Sequence, residues 1–285
     1  MRNIEKYLQL IVLLGLLICC RSVVLGQTKA VIGKIEKKQP SSRQKVKKTH
    51  HSDNSYSREA ILLNMINNMI YVEGGSFVMG ATPEQGDDVG RDEKPAHRVV
   101  VSSFSIGKYE VTQEEWLAVM GSNPSCFKGK KRPVEQVTWN ECMKFIEKLN
   151  MMTGMNFRLP TEVEWEYAAR GGNLSKRNKF AGGNNLYDVA WFNENSNIGT
   201  HDVGKKQANE LGLYDMSGNV WEWCSDRKIE YSSSLAQMYN NSEDHSSRVN
   251  RGGSWRSSEG QCRVSFRFDD DADDSFNTLG LRLAL

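Results

Sequence analysis

Two hundred and eighty-five residues, 39% apolar and 25% charged, suffice for one large domain and exclude a multispanning membrane protein or a wholly disordered chain. The net charge of +2 is uneven: residues 1–27 carry +2, residues 28–60 carry +6, and the remainder carries −6. A mildly acidic main region argues against a nucleic-acid-binding domain.

Arg2 and Lys6 precede an apolar run at residues 8–20. That run is short of the ~20 residues that span a bilayer. Charged start, apolar middle and small residues make residues 1–26 a signal peptide, cleaved before Gln27. Two alternatives stay open. The Leu-Ile-Cys-Cys at 17–20 is a degraded lipobox in which Cys20 carries a lipid, although Cys19 is a poor substitute for the small residue wanted there. The third is an uncleaved anchor. Each places the rest of the chain outside the cytoplasm, in the periplasm, on the outer-membrane surface or in the extracellular space, where thiols can be oxidised. Residues 27–60, with Lys37, Lys38, Arg43, Lys45, Lys47 and Lys48, form a basic polar linker. An arm that binds anionic polymer or lipid is the sharper alternative.

Residues 61–285 change in texture, and all seven tryptophans fall between 116 and 255. Residues 69–73 and 76–79 flank Gly74 and Gly75 and are expected to form a β-hairpin. Residues 98–106 are β-branched and loosely alternating, so they form another strand. Three Thr-x-x-Glu capping boxes, at Thr112, Thr138 and Thr161, each open a helix. In the second, Trp139, Cys142, Phe145, Ile146 and Leu149 share one face. Beyond residue 171 the regular signals fade, yet Trp191, Trp221, Trp223 and Trp255 lie there. Side chains that bury about 150–250 Å² each imply packed loops rather than loose ones.

Six phrases then fit together in order. They are Tyr-Val-Glu-Gly-Gly-Ser-Phe-Val-Met-Gly at 71–80, Tyr-Glu-Val-Thr at 109–112, Arg-Leu-Pro-Thr-Glu-Val-Glu-Trp-Glu-Tyr-Ala-Ala-Arg at 158–170, Gly-Leu-Tyr-Asp-Met-Ser-Gly-Asn-Val-Trp-Glu-Trp at 212–223, Arg-Gly-Gly-Ser-Trp at 251–255 and Gly-Leu-Arg at 280–282. In that combination residues 69–285 closely resemble the formylglycine-generating enzyme, or sulfatase-modifying factor, family. The resemblance implies an α+β domain with a C-type-lectin-like core and little regular secondary structure.

The family's oxidases convert a sulfatase cysteine to formylglycine with O₂ and Cu(I) held by two thiolates. Other bacterial relatives keep the scaffold for other oxidations, for ligand binding or as structural parts of envelope machinery. At the two matching positions this chain has Ser257 and Cys262. A serine hydroxyl is a hard, protonated and therefore poor partner for soft Cu(I), so bound copper is not expected. Ser254 matches an active-site serine and Trp221 a pocket tryptophan, so Cys262, Ser254 and Trp221 are the catalytic candidates if activity survives.

The resemblance also frames a disulfide between Cys224 and Cys262, which would stabilise the domain by roughly 3–4 kcal/mol. The alternative is a free Cys262 thiol in the pocket. Cys142 reads as a core thiol, and the partner of Cys126 is open. The family's calcium site, carried over by position, falls on Asp215, Glu222 and the carbonyls of Gly218 and Val220. A second family site would fall near Val189, where an asparagine is wanted, and is not expected. The acidic run at 269–274 reads as a solvated loop, and His97 and His201 as isolated scaffold residues that tell against a histidine-rich iron centre. Neither serine has a nucleophile-elbow context, which argues against a serine hydrolase.

The expected function is an exported non-oxidase binding or structural module of the cell envelope, whose partner is a protein or envelope ligand. It makes no nucleic-acid contact and meets the membrane only through its signal or lipid anchor. The alternatives are a formylglycine-generating oxidase and a component of an envelope secretion or gliding-type assembly.

Overall fold

The computed structural model describes residues 57–231 and 247–285, so the segment expected to be a signal peptide, Cys20 and nearly all of the expected basic linker lie outside the described residues. Helix α1 (Arg58–Asn67) leads into β1 (Met69–Val72) and β2 (Gly75–Met79). The hairpin expected between these two strands does not form. Strand β2 pairs with β3 (His97–Val101), and β1 pairs with β4 (Phe104–Gly107), both antiparallel. One register runs through both pairs, with Met69 facing Gly107 and Gly75 facing Val101. Glu73 and Gly74 thus interrupt a single long ribbon rather than reversing it, and Gly75 is already back in the ladder. A Cβ on Gly74 would lie 2.5 Å from the Val101 carbonyl oxygen, and the Gly74 N–H donates to Ser103 Oγ at 3.0 Å. The glycine is there for a close approach of two backbones, not for a turn.

The three capping boxes hold. Helices α2 (Gln113–Met120), α3 (Trp139–Thr153) and α4 (Glu162–Ala169) each start with the threonine accepting from the N–H three residues on and the glutamate reaching back. Glycines in the left-handed conformation end the first two, Gly121 at φ 81° and Gly154 at φ 71°. On α3, Cys142, Phe145, Ile146 and Leu149 are buried, and the Phe145 ring stacks on Trp116 at 4.8 Å.

After α4 the described residues hold the short α-helix α5 (Leu186–Val189), two 3-10 turns (Gly172–Leu174 and Glu259–Cys262), and the strands β5 (Trp221–Trp223), β6 (Ser247–Arg251), β7 (Arg267–Asp271) and β8 (Leu279–Leu281). These strands form one sheet in the order β7-β6-β5-β8, with β5 and β8 parallel. The acidic run is therefore not wholly a loop. Its first three aspartates extend β7, and Asp269 pairs with Lys228 at 2.8 Å. No helix among the described residues is long and apolar enough to cross a membrane.

Helix α4 sits at the centre of the main core. Trp165, Tyr167, Ala168 and Ala169 pack with Val72, Val101 and Ile106 of the ribbon and with Cys224, Val249 and Val264 around the C-terminal sheet. Where regular structure is sparse, buried ion pairs tie the segments together: Arg263 to Glu93, Arg267 to Glu162, and Arg251 to Glu166. The start of α4 is itself clamped, because Arg158 donates to both oxygens of the capping Glu164 at 2.6 and 2.7 Å. Thr161→Ala removes the hydroxyl that accepts from the Glu164 N–H. It should lower the unfolding free energy by about 1 kcal/mol, measured by urea denaturation.

Candidate functional site

Strand β5 carries alternating side chains to opposite faces, so Glu222 points toward α4 while Trp221 and Trp223 point away. Glu222 is fully buried. Its Oε2 accepts from Trp165 Nε1 at 2.6 Å and its Oε1 from Arg282 Nη2 at 2.6 Å, while Arg282 Nε lies 2.9 and 3.1 Å from the two oxygens. The same guanidinium donates to the carbonyls of Gly107 and Tyr214 at 2.9 and 2.8 Å. Arg282 thus binds β5, β4 and the 212–220 turn at once.

That turn is held by a second carboxylate. Glu110 accepts from Asn219 Nδ2 at 2.6 Å and from the Val220 N–H at 3.1 Å. Asn219 adopts φ 61° and Gly218 φ 81°, and a Cβ on Gly218 would meet the Trp191 carbonyl oxygen at 2.2 Å. The third carboxylate, Asp215, also lies in the left-handed region at φ 57°. Its Oδ2 accepts from the Gly204 N–H at 2.7 Å, while its buried Oδ1 has no hydrogen-bond partner. Burial, followed by the charges of Asp215 and Glu222, pushes the Glu110 carboxyl well above the ordinary range. Burial likewise raises Asp215 to about 6. Three interior carboxylates therefore share the field of Arg282. Of the four positions carried over for calcium, Asp215 offers a free oxygen and Glu222 is engaged by Arg282 and Trp165. Among the described residues no three His, Cys, Asp or Glu side chains are poised around one point.

The 251–262 segment builds the other half. Gly252 and Gly253 have φ of 99° and 77°, which turns the chain sharply after β6. Ser254 and Ser257 face each other across the turn. The Ser254 N–H donates to Ser257 Oγ at 2.9 Å, the two hydroxyl oxygens lie 3.2 Å apart, and the Ser257 N–H donates to the Ser254 carbonyl at 3.0 Å. Both serines are buried, and the Ser257 hydroxyl acts as a link of the turn itself.

Cys262 is fully buried in an apolar box of Phe180, Leu186, Val189, Ala190 and Phe192. Gly253 presses on it, since a Cβ there would lie 2.8 Å from the sulfur. Burial, with a smaller contribution from Glu259, pushes the Cys262 thiol up to about 12. The expected Cys224–Cys262 disulfide is not present: both are free thiols. They occupy different clusters, Cys224 with Trp165 and Val249, Cys262 with Phe180 and Phe192. Trp221 is not seen in the Cys262 cluster either. Its ring packs against Phe266 and Phe268 with centroids 5.8 and 6.0 Å away. Cys142 is a buried core thiol, as its helix face implied, and Cys126 is exposed.

Sequence reasoning assigned no role to Glu110, Trp165 or Arg282. All three sit inside quoted phrases, but only long-range folding shows that they converge on the Glu222 turn.

Comparison with known proteins agrees with this architecture. Residues 58–285 match the family model described as a sulfatase-modifying factor enzyme 1-like domain. The chaperone protein LppX of Paenibacillus barcinonensis is 34% identical, over 75% of this chain and 88% of that one. The formylglycine-generating enzyme of Mus musculus is 28% identical over 80% of each. Among solved structures, the Treponema denticola variable protein 1 superposes with a TM-score of 0.67 at 33% identity, covering 76% of this chain and 94% of that one.

The thiol environments predict a labelling pattern. With iodoacetamide at pH 7.5, Cys126 should be alkylated in the native protein, while Cys142, Cys224 and Cys262 react only after denaturation. Peptide mass spectrometry reads the difference.

Proposed function

This chain belongs to the sulfatase-modifying factor family, and from that membership we propose that it is an exported binding module of the cell envelope rather than a formylglycine-generating oxidase. The observation that carries the proposal is the state of Cys262. The thiolate, not the thiol, binds a soft metal and reacts. A thiol pushed up to about 12 in an apolar box keeps its proton at neutral pH. The position matching the other copper ligand is Ser257, whose hydroxyl accepts from the Ser254 N–H within the turn. A pocket of this kind offers Cu(I) one soft donor at most, the Cys262 sulfur, in place of two. The similarity to a protein named a chaperone supports a role in which another polypeptide is bound and not oxidised. Membership of an envelope secretion or gliding-type assembly is one form of that role.

The competing oxidase reading draws on the similarity to the mouse formylglycine-generating enzyme. Co-expression with a sulfatase bearing an unmodified target cysteine separates the two. No gain of formylglycine above that of cells lacking this chain is expected, measured by mass spectrometry of the target peptide. Conversion dependent on this chain would overturn the proposal.

Calcium at the 215–222 turn is part of the proposed function. What supports it is the buried, unpartnered Oδ1 of Asp215, an oxygen that a hard cation would satisfy. Asp215 and the carbonyls of Gly218 and Val220 would hold the ion. Glu222, spent on Arg282, would act only through its charge. Calcium would supply structural cross-linking of the turn. At calcium about 100-fold above Kd, chelation should lower Tm by roughly 5–10 °C. Asp215→Asn should abolish that dependence, and an unchanged Tm of the parent protein on chelation would remove calcium from the proposal.

A further inference from the structure

Residues 61–285 carry −6, yet one surface segment reverses the sign. Residues 126–132 hold four cations, Lys128, Lys130, Lys131 and Arg132, and no carboxylate. Lys131 pairs with Glu114 at 2.8 Å, and Lys128 donates to the Asn123 carbonyl at 2.9 Å. The half-buried Arg132 guanidinium has neither a carboxylate nor a carbonyl partner among the described residues. Its stem folds over Gly129, where a Cβ would lie 2.9 Å from Arg132 Cγ and Cδ. Its Nη1 lies 3.7 Å from the point where a Cβ on Gly199 would stand, and the Phe127 ring lies 3.2 Å from the same point. The Phe127 ring meets Trp255 edge-on at 5.2 Å, and the Val203 N–H donates to the Lys131 carbonyl at 3.0 Å. The basic segment therefore runs beside both the 197–203 turn and the Ser254–Ser257 turn.

An apolar side chain is held out next to Arg132. Ile198 is 80% exposed and lies in the left-handed region at φ 61°, directly after Asn197 at φ 50°. That conformation is an outlier for a β-branched residue, whereas glycine adopts it without strain. The N–H groups of Asn197, Ile198 and Gly199 find no acceptor among the described residues, so hydrogen bonds of the turn do not offset the strain. Strain of this kind gathers at ligand contacts. Lys130, Lys205 and Arg256, on the flanking segments, are exposed and have no carboxylate partner among the described residues. A guanidinium takes a carboxylate through two parallel N–H bonds, and an exposed isoleucine takes an apolar side chain. We propose that the Arg132–Ile198 surface binds an acidic, apolar segment of a partner polypeptide, with one carboxylate on Arg132 and a neighbouring apolar side chain on Ile198 and Phe127. The proposal rests on the binding-module reading and names the chemistry of its partner. Neither contact group is sealed, since Ile198 is exposed and Arg132 only half-buried. A sulfated glycan or a phosphate ester would use the cations and leave the isoleucine without a contact.

The probe is the capped peptide acetyl-Asp-Leu-Asp-Leu-Asp-amide, titrated calorimetrically into the full chain at pH 7.5 and moderate salt. Saturable binding is expected. Replacing the aspartates by asparagine should weaken it at least tenfold, and replacing the leucines by serine at least fivefold. Arg132→Gln should weaken it at least tenfold. Ile198→Gly should weaken it at least fivefold and leave Tm at or above that of the parent, because glycine relieves the left-handed backbone. A Tm that holds while affinity falls separates lost binding from lost folding. Lys148→Gln, at an exposed cation on α3, should leave binding unchanged. Absence of saturable binding overturns the proposal. So does equal loss on Lys148→Gln, which would mean diffuse charge attraction. Unchanged affinity on Ile198→Gly also overturns it, by making the surface a plain anion site. Displacement of the peptide by phosphatidylglycerol vesicles that bind through Ile198 would assign the surface to a membrane instead. Failure here leaves the formylglycine result untouched, and formation of formylglycine would refute the binding-module reading whatever the peptide does.

Discussion

The Glu222–Arg282 pair is the contact on which the rest of the domain depends. It lies where the parallel pair β5–β8 meets α4 and the first ribbon, and both partners are fully buried. An ion pair in such a place is not a large net gain over apolar packing. Removing either partner, however, strands a charge in the interior, at a cost of about 3–5 kcal/mol. Arg282 also satisfies the carbonyls of Gly107 and Tyr214, so one side chain joins three segments far apart in sequence. A domain with few long elements needs such joints, because its loops cannot satisfy their own backbone groups.

The same device recurs around α4. Glu162 takes Arg267, Glu166 takes Arg170 and Arg251, and Arg263 reaches Glu93 near the start of the fold. Guanidinium groups suit this work because each ties several carbonyl and carboxylate oxygens in a fixed plane. Arg267, for example, holds Glu162 and also the carbonyls of Asp92 and Ile229. The interior is thus a lattice of arginine–glutamate pairs threaded between aromatic rings.

The lattice bears on function through what it leaves over. Its charges are paired, yet several buried polar atoms have no hydrogen-bond partner, among them Asp215 Oδ1, Asn250 Oδ1, Glu135 Oε2 and Arg251 Nε. Cys262 lies outside the lattice altogether, in a dry apolar box where a thiol is a packing group.

Much of the local structure was legible in the residues. Thr112, Thr138 and Thr161 announced three helices because a capping box is a short-range interaction, complete within four residues. The apolar face of α3 was legible for the same reason, since its period is a local property. Gly74 and Gly75 misled because glycine serves both turns and close backbone approaches, and only the partner strand tells which. The Cys224–Cys262 pairing failed similarly, as the two thiols pack into separate clusters. The sequence by itself determined the family, the helix starts and the replacement of one thiol position by Ser257. Tertiary structure alone decided that Glu110, Asp215 and Glu222 share Arg282, that Cys262 is sealed from solvent, and that Asn250 is left without a donor. Burial and charge proximity are sums over distant segments, and no window of adjacent residues contains them.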